Sequence, residues 1–515
     1  MNPKSEGALL TPADLLHAAE ILEMAVSDRA LLAIADDALR VRLMTAAGRF
    51  SRPLADEARR ERRALARRKR EAREAQDRET RATAEIRQVR SRSVYEAPLR
   101  QLEPPPDSRP ERILAKPKTC YVCKQPFVRL HFFYDALCPD CATLNWQKRF
   151  QSADLRGRVV LITGSRVKIG HHVALMCLRA GATVIATTRF PRDSALRFSQ
   201  LPDFVDWQDR LHVHGLDLRH PPSVEIFARY VDSTVPHLDF LVNNAAQTVR
   251  RPTGFFVHLL EGERRDWKDL SEGARRVLGH HEDAKAKIGA RQLPDNGLFA
   301  TGLAPFTGSP GIGVLASAEL SQVPCTWDDE TCGLDVFPQG RLDADLQQVD
   351  TRAKNSWRLT LAEVPTPEVL EVQLVNSIAP YILCARLRPA MARNNEGRDR
   401  HIVNVTAMEG VFARGTKTDK HPHTNMAKAA LDMMTFTSAP EYAADGIHMN
   451  AIDTGWVTDE DPLADSLRKQ QELDFQPPLD IVDGAARLCD PFFVGLATGD
   501  HVSGKFLKDY RSAAW

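Results

Sequence analysis

The chain has 515 residues, which is too long for one simple domain and predicts two or three. Hydrophobic residues make up 43% and charged residues 27%, as in an ordinary globular protein, and the net charge of +1 conceals a basic segment near the N-terminus. No run of eighteen apolar residues occurs, which excludes a transmembrane helix, so we expect no membrane partner. The N-terminus lacks a basic region followed by an apolar stretch, so no secretory signal is predicted.

Residues 1–93 are predicted to form a helical, basic N-terminal arm. Apolar residues at helical spacing from Leu15 to Leu43 indicate two or three short amphipathic helices. Residues 52–92 contain fifteen Arg or Lys against eight Asp or Glu, and their composition favours a long exposed helix. Two interpretations stay open, a solvated helix with i,i+4 ion pairs or an arm that binds nucleic acid or an acidic partner. Residues 94–116, which include three consecutive prolines, are predicted to be a linker.

Four of the nine cysteines form two Cys-x2-Cys pairs within residues 117–149, namely Cys120, Cys123, Cys138 and Cys141. This spacing predicts a zinc-ribbon-like module, because two such turns can present four thiolates to one Zn²⁺ ion as a tetrahedron. Four protein ligands leave no open position, so the zinc would be structural. Two redox pairs, or coincidence, are the alternatives. The odd number of cysteines argues against a disulfide framework and favours a reducing compartment, so we expect a cytoplasmic protein.

A nucleotide-binding fold is predicted to begin just after this module. Residues 158–164 form a short apolar run that ends in glycine, which is typical of a buried parallel strand. Further strands are expected at 183–189, 212–218 and 238–246, with helical segments between them. Alternating strands and helices predict an α/β fold with a parallel sheet and right-handed crossovers. A cofactor should then lie outside the carboxyl ends of the strands.

The same region resembles the short-chain dehydrogenase/reductase family over about 155–247 and 365–510. The resemblance implies a Rossmann-type, doubly wound parallel sheet for residues 155–515, with an insertion at about 248–362. It rests on motifs in the family's order, which are TGSRVKIG (163–170), Asp217, NNAA (243–246), Asn376, HIVNVTAMEG (401–410) and NAIDTG (450–455).

The resemblance also implies a nicotinamide dinucleotide cofactor. Arg189 follows the second strand, whereas NAD-selective members usually carry an acidic residue at the position of Thr188. Because arginine can pair with a 2′-phosphate, we expect NADP(H), with NAD(H) as the alternative. Lys168 replaces a glycine of the loop and either obstructs the phosphate or turns its ammonium toward it. The implied contacts are Gly164, Ser165, Arg166, Lys168, Ile169, Gly170, Arg189, Asp217, Leu218, Asn244, Ala245, Lys428, Thr454 and Gly455.

The catalytic groups of the family are matched only in part. The family's tyrosine, four residues before Lys428, is replaced by Thr424, and its serine is replaced by Ala407. An aliphatic hydroxyl is a far weaker acid than a phenol. His423 is therefore a candidate for proton transfer, because imidazole titrates near neutral pH. The residues implied for catalysis are Lys428, Asn376, Thr424, Thr406 and His423.

We therefore expect an NADP(H)-dependent oxidoreductase that acts on a carbonyl or alcohol substrate. The alternative is a catalytically inactive dinucleotide sensor or scaffold, which would keep the cofactor and lose hydride chemistry. The insertion leaves the carboxyl end of the fourth strand, where it is placed to be a lid, a substrate wall or a partner surface. Members of the family often pair through the helices that match 365–392 and 421–442, which implies a homo-oligomer.

Overall fold

The computed structural model contains two compact units, Met1–Gln76 and Asp77–Trp515. Their boundary lies within one continuous helix, α3 (Ala55–Ala82), and the predicted arm over residues 1–93 stays a prediction. The reason for this boundary is local, since the buried Asp77 carboxylate accepts hydrogen bonds from the backbone N–H groups of residues 115 and 116. The structure describes residues 10–92, 111–290, 310–326, 329, 332–333, 335–393, 397–413, 415 and 417–515.

The first unit consists of exposed helices. Helices α1 (Pro12–Ser27) and α2 (Asp37–Ser51) precede α3, and neither has a buried residue. A capping box between Thr11 and Asp14 satisfies the first turn of α1. Along α3, Arg67 pairs with Glu71 at 2.7 Å in the i,i+4 arrangement expected of a solvated helix.

Three arginines near the end of the predicted basic segment form ion pairs or hydrogen bonds within the second unit. Arg87 binds both Asp135 and Asp474 at 2.6 Å, and Arg81 binds Asp474 at 2.7 Å. Arg90 donates hydrogen bonds to the carbonyls of residues 477 and 479. These guanidinium groups attach the end of α3 and the segment after it to the rest of the unit. The basic side chains that are left for a partner therefore lie mainly within residues 52–76.

The cysteine module is a small two-stranded sheet flanked by helices. Strands β1 (Ile113–Thr119) and β2 (Pro126–Arg129) pair antiparallel. Helix α4 (Glu85–Arg90) precedes them and α5 (Pro139–Arg149) follows. Strand β1 thus begins inside the segment predicted as a linker, of which residues 94–110 lie outside the described part of the chain. The module has its own core, which includes the buried Leu114, Phe133, Tyr134, Leu137 and Trp146.

An eight-stranded sheet forms the centre of the second unit. Its order is β10-β9-β8-β7-β6-β3-β4-β5, and all pairs are parallel except β9 with β10. Valine and isoleucine dominate the central strands, which are buried on both faces because helices cover both. This arrangement confirms the predicted α/β, doubly wound fold. The strands are β3 (Val159–Thr163), β4 (Thr183–Thr188), β5 (Leu211–Gly215), β6 (Phe240–Asn243), β7 (Arg400–Thr406), β8 (Ile447–Asp453), β9 (Phe506–Lys508) and β10 (Arg511–Ala513).

Helices pack on both faces of this sheet and form two apolar cores. A π-helical segment, Leu374–Ile378, joins the helix Thr366–Gln373 to the helix Ala379–Ala392. Among the helices that the structure describes, none has the length and apolarity needed to cross a bilayer. The helices are α6 (Lys168–Arg179), α7 (Pro191–Ser199), α8 (Pro221–Thr234), α9 (Val257–Glu263), α10 (Glu272–Gly289), α11 (Ile312–Leu315), α12 (Ser317–Leu320), α13 (Thr366–Gln373), α14 (Ala379–Ala392), α15 (Pro422–Ala443), α16 (Leu463–Leu473) and α17 (Ile481–Thr498).

The insertion after β6 covers the edge of the sheet as well as its carboxyl end. Helix α10 packs against β5 and α7, and its Val277 and Leu278 join the apolar core. Gly215 at the end of β5 lies so close that a Cβ atom there would be 3.0 Å from the His281 ring. Part of the insertion therefore extends the domain structurally. This part differs from a lid or a substrate wall, because it packs into the apolar core.

Candidate cofactor site and cysteine cluster

A cavity of about 470 Å³ opens at the carboxyl ends of β3, β4, β6 and β7. Doubly wound sheets bind ligands at this position. The insertion contributes part of its wall through Val249, Phe255 and Phe256. Of the residues predicted from the sequence, thirteen line the cavity, namely Gly164, Arg166, Lys168, Ile169, Gly170, Arg189, Asp217, Leu218, Asn244, Ala245, Thr406, Lys428 and Thr454.

The glycine loop after β3 is packed tightly against the NNAA segment. Gly164 has a φ of +69°, and a Cβ atom there would lie 2.9 Å from the Ala245 Cα. A Cβ atom on Gly170 would lie 2.3 Å from the carbonyl oxygen of Gly164. The Asn244 side-chain amide donates to the carbonyls of Thr163 at 2.9 Å and Gly164 at 3.1 Å. Glycine at both positions therefore lets the loop turn and lets α6 approach the strand.

Lys168 adopts the left-handed conformation that the glycine at this position would provide. Its φ is +56°, and its ammonium lies 3.9 Å from a carboxylate oxygen of Asp345 in the insertion. The side chain is about one third exposed. The side chain turns toward the insertion and the loop keeps its backbone path, and both predicted roles of Lys168 toward the phosphate stay open.

Arg189 lies at the end of β4 beside the aromatic wall of the insertion. Its guanidinium carbon lies 4.6 Å from the centroid of the Phe256 ring. Burial, with the neighbouring charge of Arg219, lowers the pKa of Arg189 to about 10, so the group stays cationic at neutral pH. Within the described residues, no carboxylate lies at ion-pair distance from it. Among the residues that the structure describes, the cavity therefore has one cation that no carboxylate contacts directly.

Arg219 is a second cation of the cavity, which the sequence reasoning missed. It binds the Asp217 carboxylate at 2.7 Å and Glu371 at 2.9 Å. Asp217, implied as a cofactor contact by the resemblance, is therefore held by an arginine two positions later. An aspartate and an arginine two positions apart after a strand could have indicated this ion pair. The two side chains can meet only if the backbone turns between them, which the fold decides.

Two predicted cofactor residues, Ser165 and Gly455, do not line the cavity. The Ser165 hydroxyl donates to the Thr187 carbonyl at 3.2 Å and thereby ties the glycine loop to β4. Gly455 has a φ of +78°, and its N–H donates to Asp453 at 2.6 Å. Both residues stabilise loops next to the cavity without facing it.

Lys428 is the predicted catalytic residue with the clearest position in the cavity. It is buried on α15, and its ammonium donates to the Val405 carbonyl at 2.7 Å. Burial lowers its pKa to about 8, although the nearby carboxylates of Asp432, Glu409 and Asp453 oppose that shift. Thr406, the next residue after Val405, lines the same wall.

The structure does not bring Asn376, His423 and Thr424 to the cavity. The Asn376 side chain holds the backbone of Gln247 at both ends, accepting from its N–H at 2.6 Å and donating to its carbonyl at 3.1 Å. His423 is buried 3.3 Å from Glu368 of α13, and Thr424 is buried as well. The first turn of α15 thus directs the His423 and Thr424 side chains into the protein, because α13 packs against that helix.

Asp432 is a further acid of this region that the sequence reasoning missed. It lies one helical turn after Lys428 and is buried. Burial raises its pKa to about 7, and Thr406 and Lys428 oppose that shift. A Cβ atom on Gly410 would lie 2.4 Å from its carboxylate, so the turn after β7 closes over it. The i,i+4 spacing of lysine and aspartate on one helix was the available signal.

The four cysteines of the module converge on one point. Their sulfur atoms all lie within 4.8 Å of one another, and those of Cys123 and Cys138 are 3.7 Å apart. A tetrahedral zinc ion with bonds of about 2.3 Å requires sulfur atoms about 3.8 Å apart. The Cys138 N–H also donates to the Cys120 sulfur at 3.3 Å, as an acceptor thiolate would favour.

The module shares a core with the loops around the cavity. Val457, which lines the cavity, is buried in the same apolar cluster as Leu137 and Trp146 of the module. Arg149 at the end of α5 binds Asp480 at 2.6 Å and Asp483 at 3.0 Å at the start of α17. The cysteine module therefore packs against the loop that follows β8, which forms part of the cavity wall.

Two relatives are similar to much or part of the chain. Protein R665 of Acanthamoeba polyphaga mimivirus, which is uncharacterized, is 28% identical over 387 residues, covering 73% of this chain and 71% of its own length. A fatty acyl-CoA reductase of Acinetobacter baylyi is 27% identical over 99 residues, covering 19% of this chain and 32% of that protein. Among solved structures, an active-site complex of Pseudomonas aeruginosa RhlG with NADP is 15% identical with a TM-score of 0.40, covering 69% of this chain and 95% of that one.

Two family models match the Rossmann domain in succession. Residues 158–270 match the model described as short chain dehydrogenase, which spans β3 to β6. Residues 342–476 match the model described as Enoyl-(Acyl carrier protein) reductase, which spans β7 and β8 and the helix of Lys428. Together with the strand order and the glycine loop, these matches show that the chain belongs to the short-chain dehydrogenase/reductase family.

Proposed function

We propose that the protein is an NADP(H)-dependent oxidoreductase that interconverts a carbonyl and an alcohol. The observation that carries this proposal is the cavity at the strand ends, which combines the glycine loop, Arg189 and Lys428 in one wall. The family supports oxidoreductase chemistry. The substrate itself stays open, since the cavity wall mixes aromatic, cationic and amide side chains.

The preference for NADP(H) rests on the end of β4. Thr188 stands where a carboxylate would bind a ribose 2′-hydroxyl, and Arg189 follows it as a cation without an ion-pair partner among the described residues. A 2′-phosphate would give this guanidinium a charge-assisted hydrogen bond. Phe256 supports one face of the guanidinium and would limit its movement.

Lys428 and Thr406 are proposed to act at the reacting end of the cofactor. The ammonium would exchange the Val405 carbonyl for ribose hydroxyls, and the Thr406 hydroxyl would contact the substrate oxygen. Asp432, which is buried one helical turn after Lys428 and has its pKa raised to about 7 by burial, would supply the proton. His423 and Thr424 would then position α15, and Asn376 would position Gln247.

The test compares NADPH and NADH binding by isothermal titration calorimetry in wild type, Arg189→Ala and Arg156→Ala. Arg156 is the matched control, because its exposed guanidinium pairs with the neighbouring Asp154 and, within the described part of the chain, with no other carboxylate. We expect Arg189→Ala to weaken NADPH binding by about 10- to 100-fold, as expected for the loss of a bond between charged groups, and to leave NADH unchanged. Equal affinity of wild type for both nucleotides would contradict the proposal.

Enzymatic activity requires a separate measurement, because an inactive dinucleotide sensor would bind NADPH equally well. Single-turnover oxidation of bound NADPH with a panel of aldehydes and ketones, with Lys428→Ala as control, distinguishes the two. Turnover that Lys428→Ala abolishes supports the enzyme. Tight NADPH binding with no turnover across the panel favours the sensor.

The cysteine cluster is proposed to hold a structural Zn²⁺ ion. Its four ligands, the 3.7 Å sulfur separation and the position in a small core fit a closed tetrahedral site. Such a metal supplies folding free energy to the module. Thiolate ligands also agree with the cytoplasmic location expected from the sequence.

A homo-oligomer is proposed through the outer surfaces of α14 and α15. Their apolar side chains include Tyr381, Met426, Met433 and Phe436, each between 53% and 60% exposed. Large exposed apolar side chains clustered on neighbouring helices indicate a protein interface.

The basic arm over residues 52–76 keeps its proposed role as a surface for an acidic partner or nucleic acid.

A further inference from the structure

Three histidines and an aspartate meet at the end of the sheet opposite the cavity. His401 and His448 are register partners on β7 and β8, at the beginning of both strands. Asp399 immediately precedes β7, and His501 lies in the loop after α17. Because β7 rises about 3.3 Å per residue, this cluster lies about 20 Å from Thr406 at the cavity. Its chemistry is therefore separate from the cofactor site.

The donor atoms of three of these residues are close enough to share one ion. The Nε2 atoms of His448 and His501 lie 2.8 Å and 3.2 Å from the two different carboxylate oxygens of Asp399. All three ligand atoms lie within 4.8 Å of one another. A tetrahedral zinc ion with bonds of about 2.0–2.2 Å requires its ligands to lie about 3.3–3.6 Å apart, so small side-chain movements suffice.

His401 supports this arrangement from inside the protein. It is fully buried, and its Nε2 lies 2.9 Å from the Nδ1 of His501. Metal-bound histidines commonly donate their second ring N–H to such an acceptor, which fixes the ring orientation. Gly495 makes room for the ring, because a Cβ atom there would lie 2.4 Å from the His501 Nδ1. The pocket is therefore shaped around His501.

The charges around Asp399 favour a cation between the rings. Among the described residues, the ion-pair partners of its carboxylate are the two imidazoles. Arg158, the neighbouring guanidinium, donates instead to Asp239 and to the backbone carbonyl of Asp399. The Asp399 side chain is 42% exposed, whereas His448 and His501 are mostly buried, so an ion can enter from solvent.

We propose that Asp399, His448 and His501 form a second metal site, which binds Zn²⁺ with two nitrogen ligands and one oxygen ligand. Imidazole and carboxylate suit zinc, and the remaining coordination position belongs to water. His401 is the supporting residue behind His501. The ion would join the beginnings of β7 and β8 to the loop after α17. This inference does not depend on the proposed oxidoreductase activity.

The test uses the full-length protein and counts bound metal. After removal of weakly bound ions with a mild chelator, Co²⁺ is added as a spectroscopic substitute for zinc. Cobalt at the cysteine cluster produces a thiolate charge-transfer band, whereas cobalt at a histidine and aspartate site produces only ligand-field absorption. We expect wild type to hold two metal equivalents and His448→Ala to hold one, with the thiolate band unchanged. One equivalent in wild type would overturn the proposal.

Additional variants distinguish a metal site from a cluster that only forms hydrogen bonds. Asp399→Asn keeps an acceptor for the imidazoles but loses the charged ligand, so it should also lose the second equivalent. His401→Gln should weaken binding of the second equivalent by about 10- to 100-fold. His212→Ala is the matched control, because its ring stacks on His280 elsewhere in the domain. Unchanged binding in both Asp399→Asn and His448→Ala would overturn the proposal, whether or not either variant alone folds well.

Discussion

The phenolic oxygen of Tyr121, in the first Cys-x2-Cys turn, accepts a hydrogen bond from the backbone N–H of Trp456 at 2.9 Å. Trp456 directly follows Gly455 in the loop after β8. Burial raises the pKa of Tyr121, so the phenol stays neutral and can serve as this acceptor. The cysteine cluster and the wall of the cofactor cavity are therefore joined by a direct bond as well as by a shared core.

Removing the proposed metal ligand Cys123 should disturb the cofactor cavity. If the cluster holds the proposed zinc, we expect Cys123→Ser to lose it, to lower the free energy of unfolding and to weaken NADPH binding, because the module's core includes the cavity residue Val457. Elemental analysis, thermal unfolding and calorimetry measure the three effects. Cys325→Ser is the control, since that cysteine is exposed in the insertion. Zinc loss with unchanged NADPH affinity would show that the module and the cavity are independent.

Tyr121→Phe tests the single hydrogen bond without removing the ring. A hydrogen bond of this kind contributes about 1 kcal/mol, so we expect NADPH affinity to fall by at most about fivefold while zinc content stays the same. Calorimetry and elemental analysis on the same preparations measure both quantities. A loss of zinc in this variant would mean that the ring, and not the loop, is disturbed.

Lys168→Gly tests whether the lysine contributes charge to the cofactor site. Relief of the left-handed conformation at φ +56° and the greater chain entropy of glycine nearly cancel, so stability should change by no more than about 1 kcal/mol. The contact between Lys168 and Asp345, at 3.9 Å and partly exposed, adds little. We expect NADPH affinity to be retained. A tenfold loss would instead show that the ammonium reaches the phosphates.

The pH dependence of stability tests Asp432. Its pKa rises from an ordinary value near 4 to about 7 in the folded protein, so between these values the native state binds more protons than the unfolded state. Stability should therefore fall as the pH rises from 4 to 7, and Asp432→Asn should reduce this decrease. Urea unfolding of both proteins at pH 5 and pH 8 gives the comparison. Parallel pH dependence in both would contradict the raised pKa.

The pH dependence of cofactor binding tests Lys428. Because its pKa is lowered to about 8, the ammonium is present below pH 8 and is lost above it. If the ammonium contacts the ribose, NADPH affinity should be constant from pH 6 to 7.5 and decrease above pH 8. Lys428→Met should show weak binding without this decrease. A flat profile in wild type would remove Lys428 from the cofactor contacts.

Phe436→Glu tests the proposed oligomer surface. Burying a carboxylate in an apolar interface is costly, so size-exclusion chromatography with light scattering should show a shift toward monomer. Val205→Glu is the control, because Val205 is also exposed, at 68%, but lies away from α14 and α15. An unchanged molecular mass in Phe436→Glu would direct attention to another surface.

Much of the fold could be predicted from the sequence, because strand, glycine loop and helix follow one another locally. The apolar run at 158–164 becomes β3, and TGSRVKIG forms the loop that the resemblance implies. Positions of the catalytic side chains were less predictable. The matched positions of Thr424 and His423 lie in the first turn of α15, and whether that turn faces the cavity depends on how α13 packs against it.

The sequence by itself determined the local chemistry of this protein, which includes the paired cysteines, the cofactor loop and the arginine after β4. Each is a short segment whose function depends on residues a few positions apart. Only the tertiary structure decided which distant groups meet. Tyr121 reaches Trp456, Arg219 joins Asp217 to Glu371, and Asp399 receives His448 and His501. Such contacts depend on sheet register and helix packing, which bring together separate segments of the chain and leave no periodic signal in it.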